Sequence, residues 1–284
     1  MITPADRYLE LLSPVDLSLL DDALGGDGSP NRFHADPATI EPALGSEAAL
    51  TYIFDDEEHV AALSPMLLFA VVVHRGATEV ATSGHVTERV GGRMLVPVFD
   101  SGNLAVFSSD GWRRLFLIEL LGSFTKVASG ARYERHGGRL RKRKFSEMDP
   151  ASLAELLLNA PPVERPGIWR RLGDLALFTT GVFPDHAVRH QLAPLDLPRI
   201  IRSIPRRDRG QLAEHLEDLD KLDPLLRTLG PRWYRLAGEH AVIPGAGEFF
   251  LHIADEFDTA RRFLAFVSDR YLFNRRTWLF PWQN

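Results

Sequence analysis

The chain has 284 residues, 45% of them hydrophobic and 25% charged, the composition of a folded globular protein with room for about two domains. It contains no cysteine, which excludes disulfides, thiol nucleophiles, iron-sulfur clusters and sulfur-ligated zinc, and fits a cytoplasmic protein. The net charge of −5 hides an asymmetry, because residues 1–60 hold 13 acidic residues against Arg7 and Arg32, a local −11, which leaves +6 on residues 61–284.

Residues 1–47 read as an acidic, partly helical segment. Its first twelve residues carry acidic groups where a signal peptide needs a basic flank and an apolar run, which predicts no secretion by that route. Residues 51–54 read as a short strand. The longest apolar run, 66–73, falls far short of the roughly 20 residues of a membrane-spanning helix, so no membrane partner is expected.

From residue 64 the chain matches itself at a spacing of 46 residues. Glu88-Arg89-Val90-Gly91-Gly92-Arg93-Met94 aligns with Glu134-Arg135-His136-Gly137-Gly138-Arg139-Leu140, and Gly76, Ser83, Gly84 and Phe99 fall on Gly122, Ser129, Gly130 and Phe145. Residues 64–99 against 110–145 share nine identities in 36 positions, where chance predicts roughly two or three. Each copy reads as a helix followed by a hairpin across a glycine pair. In the second, Ser109 or Asp110 caps a helix to about Ser129, Gly130 ends it, and extended runs 131–136 and 139–145 follow. In the first the helix is 65–83, although 69–73 reads equally as a buried strand, and the hairpin is 85–99. A further short strand is expected at 104–107. The economical packing is α+β, with a duplicated helix-plus-hairpin unit forming a small antiparallel sheet of four to six strands over residues 48–147.

The copies differ in charge. After its glycines the first hairpin runs Met94-Leu95-Val96-Pro97-Val98, whereas the second runs Leu140-Arg141-Lys142-Arg143-Lys144. Arg132, Arg135, Arg139, Arg141, Lys142, Arg143 and Lys144 therefore form a candidate surface for an anionic partner, a nucleic acid or an acidic protein. Over about residues 112–145 this helix and basic hairpin resemble the end of a winged-helix unit, which implies a wing reaching nucleic-acid backbone. The helices that precede such a wing have no recognisable counterpart here. A second basic block holds five arginines in 199–209, and the acidic N-terminal segment is a candidate intramolecular occupant of either.

From residue 148 to 284 the spacing becomes helical and predicts a bundle. Asp149 and Pro150 cap a helix to 159, and further helices are expected at 167–182, 185–192, 196–204, 207–229 and 248–273. Five aromatics, Tyr271, Phe273, Trp278, Phe280 and Trp282, crowd the last 14 residues, so the tail is expected to dock on its own chain or on a second copy.

Most strong chemical motifs are absent. There is no phosphate loop, dinucleotide fingerprint, HExxH or GxSxG, and the SxxK at 123–126 lacks a following KTG. His186 and His190, at i and i+4, are the best metal candidates, with a third ligand such as His252 required from afar. Asp174 interrupts an apolar helical stretch, so it must be paired, with Arg170 or Arg171 the nearest partners, or protonated. Two functions follow. One is a non-enzymatic binding or regulatory protein that uses no cofactor and presents the basic hairpin; the alternative is an enzyme with one divalent metal ion in the helical half.

Overall fold

A computed structural model describes residues 2–55, 59, 63–90, 94–98, 101–136, 139–189, 192, 196–209 and 221–272, with the backbone alone over 88–90, 94–95, 131–136, 139–144 and 189. The chain is mostly helical and falls into two compact units, residues 1–126 with 262–284, and residues 127–261. These divisions differ from the 1–47, 48–147 and 148–284 read from the sequence. No helix among the described residues is long and apolar enough to cross a membrane.

The first unit begins with two capping boxes. Thr3 Oγ1 accepts from the Asp6 amide while Asp6 accepts from that of Thr3, starting α1 (Pro4–Leu11), and Ser13 with Asp16 does the same for α2 (Pro14–Ala23). Each box satisfies two otherwise unpaired amides at a helix start. Three short helices, α3 (Asn31–Ala35), α4 (Ile40–Leu44) and α5 (Glu47–Asp55), lead to α6 (Pro65–Thr82). Asp16 also accepts from the Ser64 amide at 2.9 Å, tying the start of α6 to the cap of α2.

Residues 67–73 of α6 are wholly or almost wholly buried, because α4, α5, α7 (Ser101–Ser109) and α8 (Gly111–Ser123) all pack against this helix. An apolar run enclosed on every side has no period to read, so strand and helix look alike in sequence. The same ambiguity explains two corrections. Residues 51–54 and 104–107, expected as strands, lie in α5 and α7, where Ile53, Leu104 and Phe107 are buried. The hairpin of this unit pairs β1 (Val86–Val90) with β2 (Met94–Val98).

Asp110 caps α8 by accepting from the Arg113 amide. The helix ends at Ser123, earlier than expected, because the Ser123 and Thr125 hydroxyls turn back onto the carbonyls of Leu120 and Gly122 at 2.7 and 2.8 Å. Gly130 is therefore no terminator; it lies in β3 opposite Phe145.

The second unit opens with β3 (Ser129–His136) and β4 (Arg139–Ser146), an antiparallel pair. The hairpins are two separate two-stranded ladders, which corrects the expected sheet of four to six strands. Their registers differ by one residue: Val90 pairs with Met94 across 91–93, whereas His136 pairs with Arg139 across 137–138. The helix aligned with the second hairpin, α8, belongs to the first unit.

Helices α9 (Pro150–Asn159), α10 (Arg165–Val182), α11 (Pro184–Arg189), α12 (Asp196–Ile201), α13 (Leu222–Glu239) and α14 (Ala246–Asp255) follow, with a 3-10 turn at Arg206–Asp208. Of the expected helix 207–229, residues 222–229 lie in α13, which runs on to Glu239, while 207–208 are in the 3-10 turn and 210–220 lie outside the described residues. α13 runs through Pro231 despite the missing amide, because Trp233, Tyr234, Leu236 and Ala237 beyond it are buried and Trp233 Nε1 donates to Ser203 Oγ at 2.8 Å. The core of this unit is the α10–α13 pair, which approaches closely at Gly173, against the Tyr234 ring, and at Gly230, against Phe257 and Ala176.

The expected helix 248–273 is broken at Glu256, whose φ of −102° and ψ of 18° leave helical geometry, and continues as α15 (Phe257–Val267) and a π-helical turn, Ser268–Leu272. Phe257 packs on Gly230 in the second unit, and Val267 packs on Gly76 in the first. One straight stripe was expected because the sequence does not reveal that the two ends serve different units. Of the aromatic tail, Tyr271 donates to Glu79 on α6; residues 273–284 lie outside the described residues.

Candidate functional site

The basic hairpin is built from eight-residue strands. At about 3.3 Å per residue they span about 26 Å. Register sets Arg132 opposite Arg143, Tyr133 opposite Lys142, Glu134 opposite Arg141, Arg135 opposite Leu140 and Ala131 opposite Lys144. Of the candidate positions, Arg132, Arg135, Arg139, Arg141, Lys142, Arg143 and Lys144 thus all fall within one ladder. The ladder is fastened at its open end. Glu147 donates its amide to the Ala128 carbonyl and accepts from the Ala128 amide through Oε2. The same oxygen accepts from Arg171 on α10 at 3.1 Å. A carboxylate bound to both an amide and a guanidinium fixes where the hairpin leaves the helices.

Asp174 on α10 is 6% exposed. It accepts from the Tyr234 hydroxyl at 2.8 Å and lies 3.6 Å from Arg170 Nε. Tyr234 is the partner that sequence reasoning missed, since 60 residues separate the pair and no local spacing announces it. Burial, then the Asp174 charge, pushes the Tyr234 hydroxyl well above its ordinary range, so it stays a proton donor. Phe250 stacks on Tyr234, ring centroids 6.0 Å apart, and Arg170 lies 5.3 Å from the Phe250 centroid. Such a closed cluster satisfies a buried carboxylate structurally.

His186 is exposed on α11 and His252 is exposed on α14, while His190 lies outside the described residues. Asp255, three residues beyond His252, is paired with Arg235 at 2.6 Å. Among the described residues no group of three histidine, aspartate or glutamate side chains is placed to hold a metal ion.

A cleft in the first unit has no counterpart in the sequence reading. About 550 Å³ in volume, it is lined by Glu41, His74, Thr78, Ser108, Arg114 and small apolar residues including Ala77 and Ala105. His74 Nε2 and the Tyr8 hydroxyl hydrogen-bond at 2.8 Å with both residues buried. Arg114 donates to Glu41 and to the carbonyls of Ser108 and Ser109, at 2.6 and 2.9 Å, closing the end of α7. Burial, and secondarily the Arg114 charge, pushes His74 down to about 3, and burial raises Tyr8. Both are neutral near pH 7, so His74 lines the cleft as a neutral ring, held by Tyr8 from behind, beside the Arg114–Glu41 ion pair. Tyr8 and His74 stand 66 residues apart, and neither sits in a motif.

No family model, curated protein or solved structure matches this chain.

Proposed function

We propose that this is a non-enzymatic binding or regulatory protein that engages a polyanionic partner, a nucleic acid or an acidic protein, through the β3–β4 hairpin. The observation that carries the reading is the register: seven basic residues share one ladder, in which Arg132 faces Arg143 and Glu134, opposite Arg141, is the one acid, and among the described residues no third strand joins it. A lone two-stranded hairpin is marginal in water, and the Arg132–Arg143 opposition with an uncompensated excess of basic residues weakens it further. An anion lying along the ladder would remove that repulsion. The hairpins are read as copies of one unit, in which β1–β2 kept the apolar sequence and β3–β4 acquired the charge.

The test is binding of a labelled DNA duplex across a range of salt concentrations. Each lost phosphate contact should reduce the log-log salt slope by about 0.9, so changing Arg139, Arg141, Arg143 and Lys144 together to alanine should flatten the dependence and weaken binding at low salt. Polyglutamate in the same titration separates a carboxylate partner from a phosphate one. A variant that binds both polymers as the parent does, with the same slope, would refute the assignment.

A further inference from the structure

The second basic block builds a different kind of site. The 3-10 turn Arg206–Asp208 and the outer half of α13 enclose a cleft of about 140 Å³, in which Arg207, Arg232 and Arg235 meet Asp208 and Glu239 beside Leu236. At roughly 30 Å³ for one water in the liquid, that is room for a tetrahedral oxyanion. It is well below the roughly 300 Å³ at which pockets for larger organic ligands begin.

The three cations are not equally compensated. Arg207 lies 3.4 Å from Asp208 and 3.6 Å from Glu239, and Arg235 lies 2.6 Å from Asp255. Arg232 makes no ion pair among the described residues, and its buried Nη1 has no hydrogen-bond partner. Its partial burial and the neighbouring Arg235 charge both act against its protonated form, and Asp208 offsets them only in part. A guanidinium that is partly desolvated and unpaired is costly unless a counter-ion reaches it.

The walls are fixed in advance. Trp169 Nε1 donates to the Ser203 carbonyl at 3.0 Å, Trp233 Nε1 donates to Ser203 Oγ, and that hydroxyl donates to the Ile200 carbonyl at 2.5 Å. Arg209 then donates through Nε to the Ile204 carbonyl at 2.8 Å and through Nη2 to that of Arg202 at 3.1 Å. Trp169 on α10 and Trp233 on α13 thus hold Ser203 between them, and Arg209 braces the segment 202–209 internally, so little ordering remains to oppose binding.

We propose that this cleft is a binding site for a phosphate-sized oxyanion, held by the Arg232 guanidinium with Arg207 and Arg235 flanking it. Planar guanidinium forks match tetrahedral oxyanions in geometry as well as in charge. The ion can be free phosphate or the phosphate of a monoester, and the two share this recognition chemistry.

The experiment is calorimetric titration of the full chain with inorganic phosphate and with phenyl phosphate, at constant chloride. Saturable binding of one equivalent is expected. Arg232→Gln should weaken it at least about tenfold with an unchanged melting temperature, and Arg207→Gln should weaken it less because that residue keeps acidic partners. Preference for phosphate assigns the site to the free ion, and equal or tighter binding of phenyl phosphate assigns it to an esterified ligand. The fourfold hairpin variant should bind phosphate as the parent does, which separates this site from the β3–β4 surface. Absence of saturable binding by the parent, an unchanged affinity in both arginine variants, or loss confined to the hairpin variant would overturn the proposal.

Discussion

His74 illustrates how a single residue couples the core to pH. In the unfolded chain it titrates near its ordinary value of 6.5, whereas in the folded chain burial holds it neutral down to about 3. Between those values the unfolded state binds a proton that the folded state does not, so stability falls as pH drops below 6.5 and the loss levels off near 3. Above 6.5 the residue contributes no pH dependence. The slope is bounded at about 1.4 kcal/mol per pH unit, and carboxylates add their own slope only toward the acid end of the window. His74→Gln keeps a hydrogen-bonding amide for Tyr8 and removes the titration. Urea denaturation at pH 7 and pH 5 should show a smaller stability difference for the variant than for the parent. Equal differences would show that His74 is not the neutral buried group described. Tyr8→Phe, by contrast, should lower stability at both pH values, since a lost buried partner costs about 1–3 kcal/mol.

Among the elements, the α10–α13 pair shows what sequence pattern can and cannot convey. The Asp149-Pro150 cap and the limits of α10 were legible because capping and apolar spacing are local. The course of α13 was not. Pro231 is a breaker by local chemistry, and only the burial of Trp233 and Tyr234 against distant residues carries the helix past it. The basic hairpin could be placed on a ladder because a glycine pair between extended runs is also a local signal, whereas its separation from β1–β2 depends on what packs beside it. The His74 cleft and the arginine cleft were invisible for the same reason, each being assembled from segments far apart in the chain. Gly230 gives no local signal either, though a Cβ there would stand 2.5 Å from the Phe257 ring and 3.0 Å from Ala176 Cβ. Gly230→Ala gains helix propensity of about 1 kcal/mol but must push α13 away from its neighbours, and overpacking of that kind costs about 1–3 kcal/mol. A net drop in melting temperature is expected, and Phe257→Leu should restore part of it in the double variant. A stabilised Gly230→Ala would show that the helices have slack at this point.

On the scale of the whole chain, the charge asymmetry makes the acidic segment a candidate occupant of a basic surface, but residues 1–47 are packed into the first unit and are not a free tail. Four of their carboxylates are engaged locally: Asp6 and Asp16 in capping boxes, Asp21 with Arg32 at 3.3 Å and with the Ser29 amide, and Glu41 with Arg114. Their apolar residues form part of the core, with Tyr8, Leu17, Leu20, Phe33, Ile40 and Leu44 at most 1% exposed. At about 1.5–3 kcal/mol for each large side chain fully buried, the six together contribute about as much as the entire net stability of an ordinary domain, about 5–15 kcal/mol. Removing residues 1–47 should therefore abolish cooperative melting of the first unit instead of releasing a masked surface. Self-occlusion is better tested by charge alone, with Asp22, Asp27 and Asp36, all exposed, changed to asparagine. That variant should melt as the parent does. If the acidic surface competes for the hairpin, its affinity for a DNA duplex at low salt should rise; an affinity equal to the parent's would show that the two charge blocks act independently. A deletion of 1–47 that still melts cooperatively at the parental temperature would contradict the placement of those six side chains in the core.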